Sequence, residues 1–321
     1  MTKTVLIIGG TGAQGIPVVK GTLDVEGISK QLLIYTQALA TDSKFKIRVL
    51  TRSASSKDAK DLASLPGVSI FEGEAYDEAT LRQAFKDIDL VFANTNGFAI
   101  GEKSEIYWGI RLYELAREHK VAHFVYAVDI KNGMVCFDIL HVSGLPVGVP
   151  AAVPDPKDPD TMVFTAPLGN GKCPLIYLED YGRYARWIFD NPAQSNGREL
   201  NVATEDLAWN DLAAAFSDVT GKKAVYRDVT LDEYFKLGIL DPNAIVGHSS
   251  DPNDTTLQTY RENFSGFWNT WKDNLTKRDY ELLDTILPTR VKSVKEWMEM
   301  TGYSGKPSSL LKDYRDRAAK K

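Results

Sequence analysis

Cysteine is scarce in this chain: two residues among 321, Cys136 and Cys173. They stand far apart and match no metal or redox spacing, so a disulfide framework, a zinc ribbon and a Cys-x-x-Cys centre all drop out. Histidine is nearly as rare. His119, His123, His141 and His248 do not group, and each reads as a satisfied structural residue. No long basic run relieves a net charge of −5, which removes support for direct nucleic-acid binding. No apolar run approaches the roughly 20 residues of a membrane span. The first strand begins within a few residues of Met1. Neither a membrane span nor a signal peptide is therefore expected, and a reducing, cytoplasmic setting is the default. The chain is 43% apolar and 25% charged, as ordinary globular proteins are, and long enough for one large α/β domain with an appended lobe, or for two domains.

Against those absences stands one dense motif. Val5-Leu6-Ile7-Ile8 runs straight into Gly9-Gly10-Thr11-Gly12-Ala13-Gln14-Gly15. Four apolar residues closed by a glycine turn read as a buried parallel strand. Ile16-Pro17-Val18-Val19-Lys20 then starts a helix, with Pro17 tolerated in its first turn. Strand, glycine turn and helix together make the opening of a dinucleotide-binding unit. In that reading Gly9 permits a tight turn, Gly12 lets the backbone approach a pyrophosphate, and Gly15 lets helix and strand pack closely. The helix amino terminus adds free N–H donors and a positive dipole end. The spacing here is G-x-x-G-x-x-G, so the position directly after the apolar run carries the reading.

The second strand, Lys46 to Arg52, stops at Ser53-Ala54-Ser55-Ser56. In such a fold the end of this strand faces the adenosine ribose. An acidic residue there selects NAD, whereas an arginine accommodates the 2′-phosphate of NADP. Arg52 holds the position, no Asp or Glu competes at the tip, and Thr51 and Ser53 offer hydroxyls. NADP is thus expected ahead of NAD. Arg52 lies 37 residues past Gly15, where about 20 are usual. Residues 22–37 account for the excess and carry no helical apolar stripe. They read as an insertion of the kind an irregular gene model retains.

Further along, a helix is expected over Ser56–Ala63, a strand over Val68–Gly73, and a helix over Glu78–Lys86. Glu74–Asp77, at the end of that strand, stand where adenine can be bordered, and Asp77 reads equally as the cap of the helix. Strand Leu90–Ala93 ends in Asn94-Thr95-Asn96-Gly97, polar groups where ligands bind outside strand carboxyl ends. Helix Glu102–Lys120 presents Ile106, Ile110, Leu112, Tyr113 and Ala116 as its apolar face, and His123–Val128 forms the fifth strand. The pattern is βαβαβαβαβ, an open parallel sheet. Residues 129–150 then hold glycines and prolines where a crossover helix and a sixth strand should fall, as though those elements were lost, and a loop runs on to Pro159. Strands over Met162–Phe164, Pro174–Leu178, Glu199–Ala203 and Lys223–Asp228 follow, with helices from Glu179, over Trp209–Thr220 and over Leu231–Leu237. Tyr260, Phe264, Phe267, Trp268, Trp271, Tyr280 and Trp297 read as the packing of a smaller lobe.

Val5–Gly15, Arg52 after the second strand, V-F-A-N-T-N-G-F at 91–98, P-L-I-Y-L-E-D-Y-G at 174–182 and N-G-R-E-L-N-V-A at 196–203 resemble the NmrA-like family of the atypical short-chain dehydrogenase/reductase group. The segments at 278–284 and 291–298 look like its fungal members. The resemblance implies an α/β fold: a Rossmann-type parallel sheet flanked by helices, with a smaller, mostly helical carboxyl-terminal lobe. Domain limits of 1–160, with the core continuing into 161–205, and 206–321 follow. The resemblance further implies NADP or NADPH as cofactor with NAD binding more weakly, and redox sensing or transcriptional control through a partner protein. That role would extend the cytoplasmic setting to the nucleus. Gly9, Gly10, Thr11, Gly12, Ala13, Gln14 and Gly15 match the family's phosphate loop, Arg52 its 2′-phosphate contact, and Thr95, Asn96 and Gly97 its turn near the nicotinamide ribose. Tyr107 stands where some relatives have a lysine on the helix after strand 4, and the elements that should hold the nicotinamide half are missing from 129–150.

Hydride-transferring members of the wider group use Tyr-x-x-x-Lys, in which lysine lowers the tyrosine pKa and binds ribose. None of the 14 tyrosines has lysine four residues later. Lys131 is the sole lysine near the end of strand 5. Three readings stay open at this point. One is a regulatory dinucleotide binder without efficient catalysis. Another is an NAD(P)H-dependent reductase of the isoflavone-reductase-like type. The third is an incomplete gene product that folds poorly.

Overall fold

A computed structural model describes residues 2–20, 44–127, 135–136, 152–238, 241–251 and 253–303. The insertion at 22–37, most of the 129–150 break and Lys131 lie outside the described residues. The chain forms two compact units. One comprises Met1–Asp129, Leu178–Leu200 and Leu282–Thr289, and the other Ile130–Tyr177, Asn201–Glu281 and Arg290–Lys321.

The first unit alternates strand and helix: β1 (Lys3–Ile8), α1 (Gly15–Lys20), β2 (Phe45–Thr51), α2 (Lys57–Ala63), β3 (Val68–Glu72), α3 (Glu78–Ala84), β4 (Leu90–Asn94), α4 (Gly97–Glu118) and β5 (His123–Ala127). The sheet is parallel throughout, in the order β3-β2-β1-β4-β5. Val5, Leu6, Ile7 and Ile8 are at most 1% exposed, as an apolar run covered on both faces requires. Strand order reverses between β1 and β4, which pair through Ile8 and Ala93. In sheets of this kind ligands bind outside the strand carboxyl ends at that reversal. Asp77 caps α3 by accepting from the Thr80 N–H at 2.7 Å, so its role is local and structural.

Helix α4 departs from the expected burial. Leu112 and Ala116 are buried, together with Glu105 and Leu115, but Ile106, Ile110 and Tyr113 are more than half exposed. Residues 106, 110 and 113 share one helical stripe, and 105, 112 and 116 share another. Both are apolar enough to be read as the packed face. The sheet takes the second.

The second unit contains β6 (Val135–Cys136), β7 (Val153–Asp155), β8 (Asp158–Ala166) and β9 (Cys173–Ile176). Next along the chain come α5 (Leu178–Asp190) and α6 (Pro192–Ser195), both of which belong to the first unit. The chain then adds β10 (Glu205–Leu207), α7 (Trp209–Thr220), β11 (Lys223–Asp228), α8 (Leu231–Lys236) and α9 (Tyr260–Lys272). It closes with α10 (Tyr280–Ile286), whose residues are divided between the units after Glu281, and α11 (Val294–Thr301). The expected loop up to Pro159 is instead a hairpin: β7 and β8 pair antiparallel across Pro156-Lys157. The strand expected at Glu199–Ala203 is irregular, and pairing begins at Glu205, where β10 lies antiparallel to β9. Of the late aromatics, Phe264, Trp268, Trp271 and Trp297 are at most 2% exposed and form core, while Tyr260, Phe267 and Tyr280 are partly buried. Trp209 and Trp268 meet edge to face at 6.2 Å. The buried Cys173 thiol is pushed up by desolvation, which keeps it protonated and inert.

Gly182 explains part of the P-L-I-Y-L-E-D-Y-G stretch. A Cβ there would lie 2.4 Å from the Pro17 carbonyl oxygen, so α5 crosses α1 backbone to backbone. Two residues earlier, Asp180 is 1% exposed and accepts from Arg183 at 2.7 Å. Tyr181 meets Phe92 of β4 edge to face.

Candidate functional site

The glycine turn is built from three close approaches and one open side. Gly9 has φ +77°, a left-handed conformation that a side chain disfavours. A Cβ on Gly9 would sit 2.6 Å from the Asn94 carbonyl oxygen. On Gly10 it would sit 2.8 Å from Val49 Cγ1, and on Gly15 2.2 Å from the Gly9 carbonyl oxygen. These contacts lock turn, helix start and sheet together. Gly12 differs. Its imagined Cβ meets only the Gly9 carbonyl oxygen, at 3.2 Å, and otherwise faces open space. The Gly12 N–H donates to the Gly9 carbonyl at 2.9 Å, and the first helical bond runs from Ile16 N–H to the Gly12 carbonyl at 3.0 Å. A loop with this open flank fits a phosphate that must approach backbone. Thr11, Ala13 and Gln14 complete the turn, each half-buried.

Thr11 also ties the turn to the neighbouring strand. Its hydroxyl lies 3.2 Å from that of Thr51, the last residue of β2. Arg52 follows, exposed, and no hydrogen bond or ion pair joins its guanidinium to another described residue. Ser53, Ser55 and Ser56 line the same loop. Ser53 and Ser55 hydroxyls lie 3.0 Å apart, and Ser56 caps α2 through the Ala59 N–H.

The expectation that no acidic residue competes at this tip needs correction. Glu72 ends β3, opposite Thr51 in the parallel register, and its carboxylate accepts from the Ala54 N–H at 3.3 Å. It lies 20 residues further along the chain, so only strand pairing reveals it.

At the carboxyl end of β4, the Thr95-Asn96-Gly97 turn stands across the strand-order reversal from Gly9. Asn96 caps α4 by accepting from the Ala99 N–H at 3.2 Å, and its own N–H donates to the Tyr76 hydroxyl at 2.9 Å. Burial pushes the Tyr76 phenol up to about 12; the bond from Asn96 works against that rise, and the Glu105 charge adds to it. Thr95 is buried and donates to Glu105 Oε1 at 2.5 Å. Tyr126 of β5 places its hydroxyl 3.1 Å from the Thr95 hydroxyl. Its pKa is raised by burial first and by the Glu105 charge as well, while the Thr95 bond opposes the rise. Sequence reasoning missed Glu105 because a glutamate inside an amphipathic helix reads as a solvated face. Tyr107, by contrast, is 56% exposed.

The family description that matches this sequence is the NmrA-like family, over residues 1–132 and 147–252. Among curated proteins, the NmrA-like family domain-containing oxidoreductase hkm9 of Aspergillus hancockii is 25% identical over 281 residues, covering 73% of this chain and 77% of the relative. The NmrA-like family domain-containing protein DDB_G0286605 of Dictyostelium discoideum is 25% identical over 270 residues, covering 74% and 83%. Among solved structures, a double mutant of NmrA superposes with TM-score 0.60 at 17% identity, covering 94% of this chain and 95% of that one. NmrA itself, a negative transcriptional regulator, has been solved with NAD at TM-score 0.51 and with NADP at 0.50. The triphenylmethane reductase of Citrobacter sp., complexed with NADP(H), gives TM-score 0.61 at 14% identity, covering 94% and 99%.

Proposed function

This chain belongs to the NmrA-like family, and we propose that it binds NADP(H), with NAD held more weakly, as a redox-sensing or regulatory protein without efficient catalysis. The observation that carries the reading is the Gly9–Gly15 turn, closed by backbone contacts at Gly9 and Gly15 and open at Gly12. Gly12 and its neighbours would take the pyrophosphate, and α1 would supply N–H donors. Arg52 would take the 2′-phosphate, since a guanidinium makes paired, charge-assisted hydrogen bonds to phosphate. Thr95, Asn96 and Gly97 would face the nicotinamide ribose. A bound dinucleotide supplies a two-electron redox couple, and a binder that distinguishes its two states can report them to a partner protein. The naming of NmrA as a negative transcriptional regulator supports such a role, which would be played in the cytoplasm and nucleus.

A second reading, an NAD(P)H-dependent reductase, is favoured by the naming of several relatives as oxidoreductases and by the triphenylmethane reductase fold. Weighing against it, no tyrosine in the sequence has a lysine four residues later, the spacing at which lysine lowers a phenol pKa in the wider group. The two described tyrosines nearest the Thr95–Gly97 turn, Tyr76 and Tyr126, are shifted upward instead, away from easy proton transfer. General acid–base assistance is worth a factor of about 10²–10⁴. NADPH oxidation by the full chain, followed by cofactor absorbance across quinones, aldehydes and enones, separates the readings. Saturable dinucleotide binding without turnover is the expected result. Saturable, stereospecific turnover would establish the reductase.

A further inference from the structure

A carboxylate lies directly beneath the Thr95–Asn96–Gly97 turn, and neither the glycine loop nor Arg52 accounts for it. Glu105 is 2% exposed. Its Oε1 accepts from the Thr95 hydroxyl at 2.5 Å. Its Oε2 fills the space where Gly97 would carry a Cβ, 2.1 Å from that position. The Tyr126 hydroxyl, 3.1 Å from that of Thr95, also reaches the Glu105 carbonyl at 3.4 Å. Tyr76 takes the Asn96 N–H at 2.9 Å. Each residue of the turn is therefore held from below: Thr95 by its hydroxyl, Asn96 by its N–H, Gly97 by direct contact.

The backbone is shaped to allow this. In an unbroken helix residues 97 and 105 would be about 12 Å apart along the axis. Helix α4 breaks at Gly101, with φ 77° and ψ 161°, a conformation open almost only to glycine. The break brings the Glu105 side chain against Gly97. Burying a carboxylate is costly, and this one is set against three residues at the carboxyl end of β4.

We infer that Glu105 is a positioning residue for the nicotinamide half of the dinucleotide. It does not touch the ligand. Through Thr95 and Gly97 it sets the turn that meets the nicotinamide ribose. The inference rests on the dinucleotide reading of that turn given above.

Two probes separate the halves of the site: NADP⁺, and 2′,5′-ADP, which carries the adenosine and 2′-phosphate without nicotinamide. The full chain is titrated with each as wild type, Glu105→Gln, Glu105→Ala and Thr95→Val. Glu105→Gln keeps the acceptor and the volume, and Thr95→Val removes only the hydroxyl. The expected result is NADP⁺ weakened about tenfold by Glu105→Ala and by Thr95→Val, because a turn no longer held in place must be ordered when the ligand binds. Glu105→Gln restores most of that affinity, and 2′,5′-ADP binds all four proteins alike. Equal weakening of both probes, no weakening of either, or a Gln variant as weak as the Ala variant overturns the inference. Should Glu105→Ala fail to fold, unchanged NADP⁺ binding by Thr95→Val overturns it alone. Wild type that binds neither probe overturns the dinucleotide reading and this inference with it. Wild type that binds both, with variants that do not differ, overturns this inference only.

Discussion

Arg52 and Glu72 stand at neighbouring strand ends with opposite charges, and on the proposed reading the choice between NADP and NAD would turn on their balance. Removing the guanidinium in Arg52→Ala should weaken NADP by roughly tenfold to a hundredfold, the value of about 1.5–3 kcal/mol for a charge-assisted bond. NAD, which lacks the 2′-phosphate, should change little. Equal loss for both would take Arg52 out of the specificity argument. Glu72→Gln should move the ratio the other way, tightening NADP by removing a negative charge beside the Ala54 N–H. Competitive titration with both dinucleotides reads each effect. The glycines divide in the same manner. Gly12→Val should fold and fail to bind, because its added atoms enter the open flank. Gly15→Ala should lose about 1–3 kcal/mol of stability to overpacking, because its Cβ would meet backbone at 2.2 Å. A Gly12→Val protein that folds and still binds NADP normally would show that the phosphate loop is wrongly assigned.

Helix α4 and its partner α3 show what an element contributes beyond its residues. The Gly101 break is a glycine-only conformation, so Gly101→Ala should cost about 1–3 kcal/mol, measurable as a lower denaturation midpoint. The two helices are also joined by charge. Arg111 reaches Glu78 at 2.8 Å, Glu114 at 2.8 Å and Glu118 at 3.2 Å, and Arg82 bridges Glu78 and Glu118 at 2.7 Å each. Arg111 first, then Arg82, holds the Glu78 carboxyl down to about 2, against an ordinary value of 4.5. A carboxylate with a lowered folded pKa stabilises above its unfolded value, and that contribution fades as protons bind. Stability from this group should thus be complete above pH 4.5 and decline as pH falls through about 2. Arg111→Met should flatten that part of the profile, as read by chemical denaturation at successive pH values. Element boundaries were legible at some local signals and not at others: α4 begins at Gly97 behind its Asn96 cap rather than at the expected Glu102, and the strand expected at Glu199–Ala203 is irregular. Trp209–Thr220 ends at Gly221, in the left-handed conformation its glycine signalled. Where two stripes competed, as on α4, or where pairing alone decides, as between β7 and β8, the local pattern was not enough.

For the whole molecule, the parallel sheet was legible because each βα unit carries its own apolar run and stop signal. The order β3-β2-β1-β4-β5, with its reversal between β1 and β4, is set by strand pairing and not by any local pattern. Of the candidate site, the sequence offers only the parts that are local. The glycine turn and Arg52 are single stretches. Glu72 arrives through strand register, and Glu105 through a helix break that a lone glycine does not announce. Both are acidic residues whose role depends on what the fold sets beside them. The adenosine side of the candidate site rests on described residues of one unit, and the account makes its strongest claim there. Isothermal titration of the full chain with NADP⁺ and with NAD⁺ tests that claim most directly. Saturable one-site binding, with NADP⁺ at least about tenfold tighter, is the predicted result. Binding of neither dinucleotide, or tighter binding of NAD⁺, would contradict it.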